Sequence, residues 1–326
     1  MISILASPKA FSPAFASIQD RAIESWKRLH AEVEVILYGK DEGIDDAASR
    51  HGCHHVSGIP CSQSGAPLFN AIADHASHHA RFDLQMYINA DIILPPELLH
   101  RIAPVTFPRF LIVGQRIDLA HGVEFDASVA DWVAELRRLH LAGMASLHAV
   151  SGVDYFIFRR GLWHGLKPLI VGRAGYDANL VAYCLRQGIP VIDATLALLA
   201  LHQYHDYSHL SGGSDETFHG QEAEQNRRLH DLRRNGVDVG DASWILRCNE
   251  LRRHACRGDA LRQLELTLRF RCQVGLAWMA MRALWRLIEA TGLRRRYPLR
   301  LDEVLVAHAA GCLRQYVSNK TGTCEE

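Results

Sequence analysis

Residues 87–94 read Tyr-Ile-Asn-Ala-Asp-Ile-Ile-Leu. Tyr87, Ile88, Ile92, Ile93 and Leu94 suit a buried strand; Asn89 and Asp91 do not. A carboxylate in a dry strand costs several kcal/mol unless it is paired, hydrogen-bonded or metal-bound. The pattern predicts a strand whose carboxyl end reaches Asp91. Asn89 and Asp91 would then share one side, because side chains repeat with period two. Two oxygen donors about 7 Å apart on one side can grip a hydrated divalent cation and a sugar ring together. The plainer reading is an aspartate that caps the turn before Pro95 and Pro96.

Other polar residues fall at comparable places. His202 and His205 follow the strand-like stretch LALLALHQ, although 19 histidines make a chance H-x-x-H easy to find. Asp177 lies just inside a helix start after Gly175, where a carboxylate serves as a general base or as an ordinary capping acid. Asp154 stands at a strand start, as a ligand-binding acid or a turn residue. His75, His78 and His79 share one helical face at a zinc-compatible spacing. No acid or cysteine accompanies them in the order of a zinc hydrolase. His51, His54 and His55 carry a weaker signal still.

The elements that must position these groups alternate. Strands are expected at 2–7, 33–39, 87–94, 110–117, 153–160 and 190–195, and helices at 18–29, 45–52, 66–80, near 127–142 and at 175–188. Such alternation implies a largely parallel sheet with helices on both faces, and ligands beyond the carboxyl ends of the strands. Ala6, Ser7, Pro8 and Lys9 follow the first strand; Gly39 and Asp41 follow the second. By position, Ser7, Pro8 and Lys9 would line a ligand pocket, where Lys9 neutralises an anion or stands solvated. Gly65 precedes a helix with Pro67 in its first turn, so backbone N–H groups could face phosphate there. Arg116 and Arg173 could do the same with charge. Neither G-x-G-x-x-G nor G-x-x-x-x-G-K occurs at these places, which argues against a dinucleotide fingerprint or a P-loop.

The 326 residues carry 36 basic and 36 acidic side chains, so charge suggests no nucleic-acid partner. The eight cysteines are scattered without a C-x-x-C pair. The N-terminus lacks a signal-peptide pattern, and no run of 18 apolar residues occurs. A cytoplasmic protein with reduced thiols is expected. From Trp244 to Val317 there are fourteen arginines and no lysine against six acids. Helices are expected at 243–256, 260–291 and 301–317, and a mobile loop at 211–220. This tail could dock on the rest of the chain, form a homodimer, or lie on an anionic membrane, where Trp278 and Trp285 would suit the interface.

Several blocks together resemble the GT-A nucleotide-sugar glycosyltransferases of bacterial type. They are AIESW (22–26) with LYG (37–39), GAPLFN (65–70), YINADIIL, VGQRIDL (113–119), GVDYFIFRRGLW (152–163), GRAGYDANL (172–180), VIDAT (191–195) and HQYHDYSHLSGG (202–213). The resemblance covers about residues 1–225. It implies a three-layer α/β/α fold with a mixed, mostly parallel central sheet at 1–225, followed by a C-terminal α-helical appendage at 226–326. It implies transfer of a sugar from a nucleotide-diphosphate donor, UDP-sugar first among them, to a glycan, lipid-linked or small acceptor hydroxyl. Membrane contact would then be at the inner face.

Asp91 resembles the last acid of the D-x-D element, which binds Mn²⁺ or Mg²⁺, with His202 and His205 as further metal ligands. Asn89 stands where that element has its first acid, so the cation would be held with one fewer negative charge. Ala6, Ser7, Pro8, Lys9, Gly39, Asp41, Gly65, Asn70, Asn89, Ala90, Asp91 and Arg116 are the expected nucleotide-sugar contacts. Asp154 and Tyr176 are the expected acceptor contacts, and Asp177 is the base of an inverting transfer. In residues 172–178 the family's proline and asparagine are replaced by Ala174 and Ala178, which bears on the acceptor. Three rivals stand beside this reading. They are a noncatalytic glycan-binding or scaffold protein of the same fold, a His-rich metallohydrolase, and a sugar nucleotidyltransferase, whose glycine-rich loop ILASPKAF lacks.

Overall fold

The computed structural model describes residues 1–206, 213–229, 237–247, 250–253, 262, 264–268, 279–280, 283–284, 286–287 and 299–310. The first half alternates as its hydrophobic pattern requires. β1 (Ser3–Ala6) is buried throughout and leads to α1 (Ala16–Lys27), which buries Ile18, Ala22, Ile23 and Trp26 on one stripe. There follow β2 (Glu34–Tyr38), α2 (Ile44–His51), β3 (His54–Val56), α3 (Phe69–His79) and β4 (Leu84–Ile88). α3 begins after Pro67, which instead forms an isolated bridge with Cys61.

Two expected strands are each divided. The run 87–94 is not one strand: β4 stops at Ile88, the chain turns through Asn89, Ala90 and Asp91, and β5 (Ile92–Ile93) enters a different sheet. After α4 (Leu98–Ile102), the run 110–117 splits into β6 (Leu111–Val113) and β7 (Ile117–Leu119), again in different sheets. The break lies at Gly114. A Cβ there would collide with the Tyr155 hydroxyl and stand 3.0 Å from the Thr195 nitrogen, so only glycine lets the backbone through.

α5 (Trp132–Leu141) starts where the Asp131 carboxylate accepts from the Ala134 N–H at 2.9 Å. β8 (Ala145–Leu147), β9 (Tyr155–Arg159), α6 (Tyr176–Arg186), β10 (Val191–Asp193) and β11 (Leu201–His202) come next. α7 (Gly213–His219) corrects the loop expected over 211–220, and α8 (Gln221–Leu229) follows it. The helix expected at 243–256 is instead a strand pair, β12 (Trp244–Arg247) and β13 (Glu250–Arg253). Leu246 is buried among the apolar residues of the sheet while Arg247 and Arg253 face solvent.

Among the described residues the main sheet has nine strands in the order β13-β12-β10-β6-β9-β4-β1-β2-β3. β9 is antiparallel to both neighbours and β13 to β12; the remaining pairs are parallel. α3 and α6 bury their apolar stripes on one face, against Leu5, Ile36, Tyr87 and Phe156. α1, α2 and α4 cover the other, against Ile4, Val35, Met86 and Ile157. This is the mixed, mostly parallel three-layer arrangement that the alternation implies.

A second sheet, β5-β11-β7-β8, packs its apolar side on α5 and on Leu301, Val304 and Leu305. Residues 301–310 are helical, as expected, as are 262 and 264–267. The expected helical residues 311–317, and Trp278 and Trp285, lie outside the described residues. Among the described residues no helix is long and apolar enough to cross a membrane.

Candidate active site

The turn after β4 is where the polar residues gather. The Ile92 N–H bonds the Asn89 carbonyl at 3.2 Å, closing the turn and lifting Asp91 off the sheet. Gln203, just past β11, fastens it there. Its main-chain N–H and its side-chain amide both donate to the Asp91 carbonyl at 3.2 Å. That amide also donates to the Ile18 carbonyl at 2.8 Å, and the Gln203 Oε1 accepts from Arg21 at 2.8 Å. β11 is thus anchored to α1 and to the turn, which sets His202 and His205 beside Asp91.

Asp91 is 8% exposed. Its Oδ2 lies 3.0 Å from His205 Nε2 and 3.6 Å from Lys9 Nζ. Its Oδ1 is buried without a hydrogen-bond partner. Burial pushes this carboxyl up, but the contact with His205 and the charges of His202 and Lys9 outweigh it and hold it well below the usual carboxylate range.

His202 pairs across strands with Asp118, and its Nδ1 lies 3.2 Å from Asp118 Oδ1. The other Asp118 oxygen is 2.6 Å from His148 Nδ1, and Arg116 Nε donates to Oδ1 at 2.8 Å. Burial opposes the Asp118 charge, yet His148, His202 and Arg116 keep its carboxyl far below the ordinary value. Arg116 also donates to Asp154 Oδ2. Asp154 Oδ1 accepts from the Asn89 side-chain amide at 2.6 Å, and Asn89 Oδ1 accepts from the Tyr176 hydroxyl at 3.0 Å.

This network corrects the expectation that Asn89 and Asp91 face the same way as strand neighbours. They lie in a turn and serve different partners. An acid at position 89 would face the Asp154 carboxylate, whereas the Asn89 amide can donate to it. Arg116, for its part, is engaged by two carboxylates.

Asp177 sits in the first turn of α6, after Gly175 with its φ of 90°. Burial and the nearby Asp154 charge push its carboxyl up to about 6, against main-chain donors at Ala178 and Val153.

The remaining expected residues divide between two places. Ala6 ends β1, Pro8 is buried and Ser7 half-buried after it, and Ala90 is buried in the turn. A Cβ on Gly39 would stand 4.0 Å from Ser7 Oγ, so the ends of β1 and β2 adjoin; φ at Gly39 is 132°. Burial raises the Asp41 carboxyl despite the neighbouring Lys40. Gly65 belongs to a separate polar group. There the Ser64 hydroxyl donates to Glu222 at 2.7 Å and Arg173 donates to the same oxygen at 3.0 Å. Asn70 lies in the first turn of α3 with a buried Oδ1 that has no hydrogen-bond partner. His75 stands 3.2 Å from the Tyr38 hydroxyl and its ring lies 4.5 Å from that of His79.

Asp91, His202 and His205 present ligand atoms that all lie within 4.8 Å of one another. The set fits a divalent cation on three counts. Asp91 Oδ1 is a buried acceptor with nothing to accept from. Asp118 engages Nδ1 of His202, the second-sphere arrangement by which carboxylates orient metal-binding imidazoles toward Nε2 coordination. His205 likewise bonds through Nδ1, 2.7 Å from the Asp206 carbonyl, with Nε2 toward Asp91. Asp118, His148 and Gln203 are the supporting residues that the sequence reading missed.

No protein-family model matches the chain, and no curated protein matches it. Solved structures of low similarity do. Glucosyl-3-phosphoglycerate synthase from Mycobacterium tuberculosis, in complex with Mn²⁺, UDP and phosphoglyceric acid, is 19% identical, with 74% of this chain and 80% of that chain covered and a TM-score of 0.41. A second structure of that synthase is 18% identical over 69% and 77%, with a TM-score of 0.39. A mycobacterial protein is 16% identical over 63% and 67%, with a TM-score of 0.37. Likeness at this level carries no argument about activity. The fold rests on the strand order itself: a mixed α/β chain with a mostly parallel central sheet between helical layers.

Proposed function

We propose that the chain is a GT-A-type glycosyltransferase that moves a sugar from a nucleotide-diphosphate donor to an acceptor hydroxyl. The observation that carries this reading is the convergence of Asp91, His202, His205 and Lys9 beyond the carboxyl ends of β1 and β4. That is the ligand-bearing edge of such a sheet. Asp91, His202 and His205 would hold Mn²⁺ or Mg²⁺, and the ion supplies Lewis-acid stabilisation of a leaving diphosphate.

The other roles belong to the chain itself. Ser7, Pro8, Gly39 and Asp41 line the nucleotide side, where β1 and β2 end. Lys9 places an ammonium beside Asp91, within reach of phosphate. The Asn89 amide and the Tyr176 hydroxyl hold Asp154 and the start of α6 together, on the acceptor side. Asp177 takes the acceptor proton as the sugar carbon is attacked from the face opposite the diphosphate. A carboxyl near pKa 6 is ionised at neutral pH yet more basic than an ordinary aspartate, which suits that task. The donor is a UDP-sugar and the acceptor a glycan or small hydroxyl compound. All of these residues precede residue 226; the region after it is no separate helical appendage, since it adds β12 and β13 to the main sheet and packs Leu301, Val304 and Leu305 on the second.

Thermal melting with uridine, guanosine, cytidine and thymidine diphosphates, each with and without Mn²⁺, tests the reading. A ligand at 100 times its dissociation constant stabilises the fold by about 2.7 kcal/mol. One diphosphate should raise the melting temperature in a Mn²⁺-dependent way, and Asp91→Ala should abolish the rise. A melt unmoved by all four would sink the proposal.

A further inference from the structure

We infer that Lys9 competes with the divalent cation for Asp91 and His205, so that the cation is taken up together with a diphosphate rather than ahead of it. This rests on the cation site proposed above. Lys9 is built into that site at both ends. Its main-chain N–H donates to Gln19 Oε1 at 2.7 Å, and its carbonyl accepts from Gln19 Nε2 at 3.0 Å. Gln19 is 2% exposed, so one buried amide fixes the point from which the side chain starts. At the other end, Nζ lies 5.0 Å from the centre of the Phe15 ring. That ring also meets His205 edge-on, with centroids 5.7 Å apart.

Held in this way, Nζ lies 3.1 Å from His205 Nε2 and 3.6 Å from Asp91 Oδ2. An ammonium has three donors and no lone pair, so it faces the Asp91 carboxylate as an ion pair and engages His205 Nε2 only through that atom's lone pair. Asp91 and His205 are two of the three residues that would hold the cation.

Charge gives the competition its sign. Asp91 is the one acid of the trio, and position 89 carries an amide. The Lys9 ammonium balances the single carboxylate, so a divalent ion arriving alone meets a site of little net attraction and a positive charge at close range. A diphosphate changes both terms. Its oxygens offer Lys9 charge-assisted hydrogen bonds in place of Asp91, and they bring negative charge to the ion. Each ligand then favours the other, and linkage makes the effect mutual.

Calorimetric titration of the full chain tests this with Lys9→Met, which keeps the length of the side chain and removes its charge. Mn²⁺ alone should bind Lys9→Met about tenfold more tightly than wild type, whereas UDP in saturating Mn²⁺ should bind about tenfold more weakly. Lys9→Arg, which keeps the charge, should bind Mn²⁺ alone as weakly as wild type. A purely structural role for Lys9 would weaken both ligands together, and that result overturns the inference. So does an unchanged Mn²⁺ affinity in a Lys9→Met protein that still binds UDP with Mn²⁺; the functional reading survives that outcome. Wild type that takes up no Mn²⁺ even with UDP present removes the cation site, and both ideas fall.

Discussion

Asp118 is the residue on which the arrangement of imidazoles turns. It accepts from two histidines and an arginine, and it faces His202 because β7 and β11 pair in that register. Replacing it by asparagine should leave the fold standing but let the His202 ring turn. Second-sphere losses of this kind cost about 10–100-fold in metal affinity, and a Mn²⁺ titration in the presence of UDP would show it. Asp177 offers a test by pH. Its carboxyl is raised from 3.8 to about 6, so between those values the native state holds a proton that the unfolded chain has lost. Stability therefore falls as pH rises through that window, and the ionised form above it is the strained one. Asp177→Asn should be more stable than wild type at pH 8, by up to about 3 kcal/mol in urea unfolding, and the gain should vanish below pH 4. Turnover should show the opposite dependence: wild-type kcat declines as pH falls through about 6, and the variant is inactive at every pH. Asp91, His202 and His205 drew notice in the sequence because each is a polar residue inside or just after an apolar run, and Lys9 because it follows the first strand. Asp118 and His148 were not, because their roles depend on which strands pair and in what register.

At the scale of elements, the alternation of period-two and helical stripes is enough to place β1, α1, β2, α2 and α6. Periodicity fails where the chain passes from one sheet to another without losing its apolar character. Phe110 to Ile117 and Tyr87 to Leu94 each read as one strand because both halves are buried, and burial is all that the letters report. Gly114 marks the first crossing by its size. Gly114→Ala would press a methyl group into the Tyr155 hydroxyl and toward the Thr195 nitrogen. Overpacking of this sort costs about 1–3 kcal/mol. The loss should appear as a lower urea midpoint with an unchanged slope. β12 and β13 do not read as strands because Arg247, Arg252 and Arg253 leave no period-two pattern between 244 and 253, while the burial of Leu246 is set by β10 alongside it.

Across the whole molecule, the second sheet links the site to the end of the chain. Leu305 is fully buried among Trp132, Leu136, Leu201 and Ile117. Leu305→Ala should therefore cost about 2–5 kcal/mol, read by chemical denaturation. The sequence showed an apolar stripe in 301–310 but not the surface it covers, since β5, β7, β8 and β11 are too short to announce a sheet. The contact between Lys9 and His205 spans 196 positions, and Gln203 ties its own segment to one 185 residues earlier. Closing such distant partners is slow compared with forming helices. In a refolding experiment the circular dichroism signal should recover first, and nucleotide capture should follow in a later phase, making ligand binding a clock for the final step of assembly.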